Sequence, residues 1–340
     1  MTQPRIAIFG AGSIGCYLGG RLLATGAEVA MIGRPRLQET IHRHGLTATD
    51  YQGYRVEWAP AQCRYHTDPA EAAGADLALL TVKSAATEDA GRQLARVLKP
   101  GAVVVCFQNG VSNADRLQPL LPEQTVLPGM VPFNVLQQSP GHFHQGTEGH
   151  LMVQQHPALD AASGLFEHAG LPLEQRSDML SVLWSKLILN LNNPINALSG
   201  IPLKEELEQR DYRRCLALAQ SETLYLLRQA DIKTVRVTSL PTPLIPWLLR
   251  LPDAIFTRLA QQMLAIDPIA RSSMWEDLQA GRPTEIEYIN GEVVALARRL
   301  NLRAPVNQAL INLIHDTERG EVGNPWSGTD LLRLLKTQQK

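Results

Sequence analysis

The amino-acid order predicts an α/β protein: an N-terminal parallel sheet followed by an all-helical half. Three observations predict it. Short, continuous apolar runs alternate with helical periodicity through the first half, the pattern of strands covered on both faces. A glycine-rich turn stands directly between the first such run and the first helical stretch. Strand signals fade after about residue 177. A chain of 340 residues also suits two domains, because single cores stop growing before that size.

In chain order, RIAIF (5–9), AEVAMI (27–32), DLALLTV (76–82) and AVVVCF (102–107) predict buried strands, with helices over 87–98 and 112–121 between them. From about 125 to 155 the strands are broken by SPG and glycine-rich turns, so the sheet is expected to finish in antiparallel hairpins. Beyond 177 the segments 179–193, 205–230, 253–265, 268–280, 285–300 and 306–318 carry apolar residues at helical spacing. The proline-dense PTPLIPWLLRLP (241–252) predicts a loop or broken helix, and is the candidate surface for a homodimer. The expected domains are 1–177 (nucleotide-binding), 178–330 (helical) and a polar tail over 331–340; the chain after Pro325 is expected to fray.

Composition narrows the function. The net charge is −1 and no Lys/Arg run stands out, which argues against a nucleic-acid partner. No apolar run approaches the roughly 20 residues of a membrane span. The chain enters a strand almost at once, with no leader-like region. Cys16, Cys63, Cys106 and Cys215 are widely spaced and predict reduced, buried thiols of a cytoplasmic protein. His142, His144, His150 and His156 predict surface positions and not a metal site, since no carboxylate or cysteine stands at ligand spacing.

The first strand runs into Gly10-Ala11-Gly12-Ser13-Ile14-Gly15 and then a helical run. This is G-x-G-x-x-G in the setting it needs. The glycines allow a tight turn, close approach of a pyrophosphate and close helix–strand packing, and the pyrophosphate meets free N–H groups at the helix start. NAD-binding proteins place a carboxylate at the end of the second strand for the ribose 2′-hydroxyl. Here that strand ends in Gly33-Arg34-Pro35-Arg36. A guanidinium suits a 2′-phosphate, so NADPH is expected over NADH, with Arg34 the better placed of the two arginines. The third and fourth strands end in Lys83 and in Gln108-Asn109-Gly110. Ligands of open α/β sheets lie beyond the carboxyl ends of the strands, which puts Lys83 and Asn109 toward cofactor or substrate.

In WSKLILNLNN (184–193), Lys186, Asn190 and Asn193 fall at i, i+4 and i+7, which predicts one polar stripe on an otherwise oily helix. An exposed stripe would more naturally carry Glu, Arg and Gln, better helix formers than Asn, so a cleft-lining stripe is favoured over a solvated one. Pro194 should kink or end the helix. Downstream, Asp267-Pro268 predicts an N-cap with Gly281 as the stop, placing Ser272 and Ser273 mid-helix. Thr284 and Glu287 read as a capping box. That leaves Glu285 to favour the helix dipole or to bind a cationic partner such as Lys186.

Together GAGSIG, TVK (81–83), QNG (108–110), WSKLILN (184–190) and RSSMWEDLQAG-x-x-TEIEYING (271–291) resemble the ketopantoate reductase (2-dehydropantoate 2-reductase) family over nearly the whole chain. The resemblance implies a Rossmann-type domain joined to a helical domain of 6-phosphogluconate-dehydrogenase type. It also implies NADPH-dependent reduction of a 2-oxo acid, which in the name-giving members is ketopantoate in pantothenate biosynthesis. By the same resemblance Lys186 would be the catalytic lysine, acting with Glu285. Asn109, Asn190, Asn193 and Ser273 would bind substrate. Gly10, Gly12, Ser13, Ile14, Gly15, Arg34, Lys83 and Asn109 would hold the cofactor. The gap from the lysine to the Asn-Pro pair is one residue shorter than in the enterobacterial-type motif, so Asn193, Asn192 and Asn196 all stand open as the second asparagine. Two other readings compete: a reductase of a different 2-oxo acid, and a non-catalytic NADPH sensor.

Overall fold

The computed structural model describes residues 4–260, 269–321, 323 and 325–338. The chain divides after Met179 into two compact units; the sequence expectation put the boundary near residue 177.

The first unit contains, in order, β1 (Ile6–Phe9), α1 (Ser13–Leu23), β2 (Val29–Ile32), α2 (Pro35–His44), β3 (Leu46–Asp50), β4 (Arg55–Trp58), β5 (Tyr65–His66), β6 (Leu77–Leu80), α3 (Thr87–Leu94), β7 (Val103–Cys106), α4 (Asn113–Leu117), β8 (Thr125–Met130), β9 (Val135–Ser139), β10 (His142–Gln145), β11 (Leu151–Gln154), α5 (Asp160–His168) and β12 (Leu173–Arg176). The main sheet has the order β12-β11-β8-β7-β6-β1-β2-β5. Its pairs are parallel except β11 with β8.

The apolar runs are continuous because both faces of the sheet are buried. Ile6 and Ile8 of β1 point to one side, with Met31, Leu79, Val105 and Leu18 of α1. Ala7 and Phe9 point to the other, with Ala30, Leu80, Val104, Leu94 of α3 and Leu117 of α4. From β1 the chain winds to β2 on one side and to β6, β7 and β8 on the other. The carboxyl ends of β1 and β6 therefore flank the topological switch point, where such sheets bind ligands.

The expectation that the sheet finishes in antiparallel hairpins needs correction. β11 does run antiparallel to β8, but the β9–β10 hairpin leaves the main sheet. It joins β3 and β4, two strands the sequence reading passed over, in a second sheet of order β4-β3-β10-β9, with β10 parallel to β3. This sheet packs on α1, where Leu46 lies so close to Gly20 that a Cβ there would meet its Cδ2 at 2.4 Å. Beneath it Arg21 is buried and fully engaged: Nε donates to Ala169 O at 2.9 Å, and one terminal nitrogen donates to Tyr17 Oη at 2.8 Å and Asp50 Oδ2 at 3.1 Å.

The second unit is built, in its described residues, from helices: α6 (Met179–Asn190, opening at the boundary), α7 (Asn193–Ser199), α8 (Leu203–Glu208), α9 (Arg210–Gln229), α10 (Ile245–Leu249), α11 (Asp253–Leu259), α12 (Ser273–Gln279), α13 (Ile286–Arg299), α14 (Pro305–Glu318) and α15 (Gly328–Thr337). The long α9 packs against α10, α14 and α15. The frayed polar tail expected after Pro325 is instead helix α15. Ser327 caps it, its Oγ accepting from Asp330 N, and Leu331, Leu332 and Leu335 are buried at helical spacing. The proline-dense 241–252 segment forms a single turn over Thr242–Leu244 and then α10, burying Leu248 and Leu249 while Leu244 and Trp247 stay exposed.

The four cysteines are free and buried. Of the four histidines, His150 is exposed and the others half-buried, with His142 and His144 both bonded to Thr49 Oγ1 at 2.8 Å. Among the described residues no cluster of His, Cys, Asp and Glu could hold a metal, and no helix is long and apolar enough to cross a membrane.

Candidate active site

In the first unit the glycine turn follows β1 as the spacing requires. Gly10 sits at φ +92, and a Cβ there would lie 2.4 Å from Val82 Cγ1 and 2.5 Å from Val82 N. Both the dihedral and the packing therefore demand glycine. A Cβ on Gly15 would meet Thr81 Oγ1 at 2.7 Å and Ile8 Cγ2 at 2.9 Å, so this glycine brings α1 down onto β1 and the end of β6. Gly12 differs: it is exposed, its φ is −89, and its nearest neighbour for a Cβ is Gly10 O at 3.9 Å. It caps α1 with no side-chain hydrogen bond, so the first-turn N–H groups, beginning at Ser13 and Ile14, have no side-chain cap. Tyr65 ties the turn down, its Oη donating to Ala11 O at 2.7 Å. These features form a cradle open to a pyrophosphate.

At the end of β2, Arg34 is exposed and is the N-cap of α2, with Arg36 exposed in the first turn. No carboxylate follows the strand before Glu39. Lys83 is exposed at the end of the β6 loop. Asn109 is half-buried after β7, its carbonyl oxygen accepting from Ser84 Oγ at 2.8 Å and Asn113 Nδ2 at 2.6 Å. Gln108 Nε2 donates to Thr87 Oγ1 at 2.7 Å, and Ser84, Thr87, Gln108 and Asn113 are all buried. This polar cluster, which the sequence reading did not anticipate, fixes the loops after β6 and β7 to one another and so fixes the backbone of Asn109.

In the second unit Lys186 and Asn190 lie four residues apart on α6 and share a face. Around them Trp184, Leu187, Ile188 and Leu191 are buried. Lys186 is half-buried. Burial, only partly offset by the Glu285 carboxylate, lowers its ammonium from the ordinary 10.5 to about 8. Asn193 is not in the same helix: α6 ends at Asn190, and Asn193 opens α7, with Asn192 as N-cap and Pro194 in the first turn. The break corrects the i, i+4, i+7 expectation.

Asn192 and Asn196 are buried. Asn196 Nδ2 donates to Glu206 Oε2 at 2.6 Å and to Ile201 O at 3.0 Å, while its Oδ1 accepts from Ser272 N at 2.8 Å. Asn193 is half-buried between them.

Ser272 and Ser273 are not mid-helix. Ser272 is the N-cap of α12, its Oγ accepting from Trp275 N at 3.2 Å, and Ser273 is the exposed first residue of that helix. The N-cap expected at Asp267-Pro268 lies outside the described residues. Gly281 does follow the helix end, at φ +61. The Thr284–Glu287 capping box does not form. Glu318 Oε1 accepts from Thr284 N at 2.9 Å, and Glu287 turns to His315 Nε2 at 2.8 Å. Glu285, half-buried, is instead the N-cap residue of α13.

A Rossmann-type sheet with an open glycine cradle, and a helical unit carrying a lysine under the influence of a carboxylate, define a two-domain oxidoreductase. Comparison with known proteins names the family. Residues 6–158 match the family model described as "Ketopantoate reductase PanE/ApbA", and residues 178–318 match its C-terminal counterpart. The chain belongs to the ketopantoate reductase family. It is 27% identical over 322 residues to the 2-dehydropantoate 2-reductase of Halobacterium salinarum, covering 93% of this chain and 99% of that one. Among solved structures it is similar to the PanE/ApbA family ketopantoate reductase from Ralstonia eutropha JMP134, with TM-score 0.80, 29% identity, and 93% and 99% of the two chains covered. D-mandelate dehydrogenase, solved with NADH and anilino(oxo)acetate, shares the fold at TM-score 0.76 and 21% identity, with 93% and 99% covered.

Proposed function

We propose that the protein is an NADPH-dependent reductase of a 2-oxo acid, with 2-dehydropantoate reduced at C2 to pantoate as its reaction. Lys186 carries the reading. Its ammonium, lowered to about 8 by burial and held up by Glu285, is poised to protonate a developing alkoxide near neutral pH. The 2-dehydropantoate 2-reductases to which the chain is similar support the substrate. Arg34 and the missing carboxylate after β2 support NADPH over NADH.

The cradle fits a dinucleotide, since Gly12 leaves space where a side chain would stand and the helix start offers unclaimed N–H groups. Gly10, Gly12, Ser13, Ile14 and Gly15 would hold the pyrophosphate, Arg34 the 2′-phosphate, and Lys83 and Asn109 the nicotinamide end. Once bound, the dinucleotide supplies a hydride to C2 of the keto acid. Lys186 Nζ would give its proton, or a charge-assisted hydrogen bond, to the C2 oxygen as negative charge grows there. Glu285 would keep that ammonium charged. The amides of Asn109, Asn190 and Asn193 and the Ser273 hydroxyl would hold the substrate's carboxylate and hydroxyl. Asn193 is preferred over Asn196, whose amide is already bonded at both ends.

The test is NADPH oxidation with 2-dehydropantoate, beside NADH and beside a panel of 2-oxo acids that includes an aryl-substituted one. Fastest turnover is expected with 2-dehydropantoate and NADPH. Preference for another acid would move the substrate but keep the reaction; cofactor binding without turnover of any acid would replace the reading with that of a sensor.

A further inference from the structure

Glu206 is a wholly buried carboxyl group in the helical unit. Packing alone would be served better by leucine, because burying a carboxyl group is costly unless it holds hydrogen bonds. It holds one. Asn196, three residues beyond Asn193, donates from Nδ2 to Glu206 Oε2 at 2.6 Å, while the other carboxyl oxygen, Oε1, is buried with no hydrogen-bond partner among the described residues. With Glu206 Oε2 and Ile201 O both accepting from Asn196 Nδ2, the Asn196 amide can take only one orientation. Its Oδ1 is thereby turned to the Ser272 N–H at 2.8 Å. Ser272 Oγ in turn donates to Asn193 O at 3.2 Å, and Leu203 N donates to Ala270 O at 2.9 Å. Arg271 adds a bond to Gly200 O. The segment entering α12 is thus fastened to α7 and the start of α8 by four bonds, and one of them depends on how Asn196 is turned.

We propose that Glu206 is a positioning residue of the substrate side: by orienting the Asn196 amide it sets where the first turn of α12, with Ser273, stands against the first turn of α7, with Asn193. The inference rests on the substrate role given above to Ser273 and Asn193. Glu206 itself touches neither substrate nor cofactor. An amide at position 206 would still accept from Asn196 Nδ2, so Glu206→Gln should keep the orientation, whereas Glu206→Leu or Asn196→Ala should lose it.

The experiment measures KM for the 2-oxo acid, kcat, NADPH affinity and melting temperature. It adds amide hydrogen exchange of residues 269–280 in full-length wild type, E206Q, E206L, N196A and the E206L/N196A double variant. Loss of one buried hydrogen-bonded link is expected to raise KM about tenfold in E206L and N196A, with kcat and NADPH affinity within about twofold. Exchange should quicken over 269–280, E206Q should recover KM to within about threefold, and the double variant should be no worse than N196A. Additive losses, or exchange quickened evenly through the helical unit, would make Glu206 a general stability residue and overturn the proposal. If E206L does not fold, N196A decides: unchanged KM and exchange overturn the relay. If wild type turns over no 2-oxo acid, the proposed function falls, and exchange over 269–280 alone still judges the relay.

Discussion

The Glu285 carboxylate and the Lys186 ammonium act on each other within the helical unit, the carboxylate opposing what burial does to the lysine. In the proposed reaction Lys186 acts as the ammonium form, which is present below its pKa. Activity should therefore fall as pH rises through about 8. Glu285→Gln removes the influence that raises the lysine, so the alkaline fall should move to lower pH. Lys186→Ala should cut kcat by roughly 10² to 10⁴ while NADPH binding stays nearly intact. A pH profile of kcat/KM checks both; an alkaline limb that stays in place in E285Q would separate the two residues.

Arg34 makes the cofactor preference testable. It is exposed at the N-cap of α2, so its contribution belongs at the low end of what a charge-assisted hydrogen bond gives. Arg34→Ala should weaken NADPH about tenfold and leave NADH within about twofold, read by fluorescence titration of each. Equal losses for both would remove the 2′-phosphate assignment.

Much of the frame was legible because it rests on local pattern. The strands around β1 are buried on both faces and so read as unbroken apolar runs, and Gly10 and Gly15 are fixed by contacts to neighbouring strands that any G-x-G-x-x-G turn must make. Lys186 and Asn190 share a face because four residues make about one helical turn. Illegible features depend on distant partners. The capping box lost to Glu318 and His315, which lie 34 and 28 residues away from the groups they bind. Asn193 falls in a separate helix because the chain turns after Asn190, before the proline that announced the break. Glu206 sits in KEELE, where a glutamate reads as an ordinary helix former.

Gly12 separates a structural glycine from a functional one. Its φ of −89 suits any L-residue, and an added Cβ would have only Gly10 O, at 3.9 Å, within reach. Gly12→Ala should therefore keep the wild-type melting temperature to within a degree or two, since unconstrained surface changes rarely exceed about 0.5 kcal/mol. It should nonetheless weaken NADPH at least tenfold, because the methyl group would stand where the proposed cradle admits the pyrophosphate. Gly10→Ala, strained in dihedral and in packing, should lower both. Unchanged cofactor affinity in G12A would leave the turn a purely structural one.

Glu206 also gives the protein a particular dependence of stability on pH. Burial raises its carboxyl from an ordinary 4.5 to about 8, although the bond from Asn196 opposes this. The folded state thus holds a proton that the unfolded chain releases. The stability this lends is complete below about 4.5, declines as pH rises, and is lost once pH passes about 8. A glutamine at 206 does not titrate. E206Q and wild type should therefore melt alike in mild acid and diverge toward about pH 9, with the variant more stable by on the order of 2–4 kcal/mol. Tyr212 and Cys215 feel the same carboxylate, but both are held above their ordinary values and stay neutral through this window. The pKa of Glu222 is raised as well, by burial, but it is common to both proteins and drops out of the difference. Melting curves that run parallel from acid to alkali would mean that Glu206 is ionised in the fold, so that Asn196 bonds a carboxylate anion and not a protonated carboxyl.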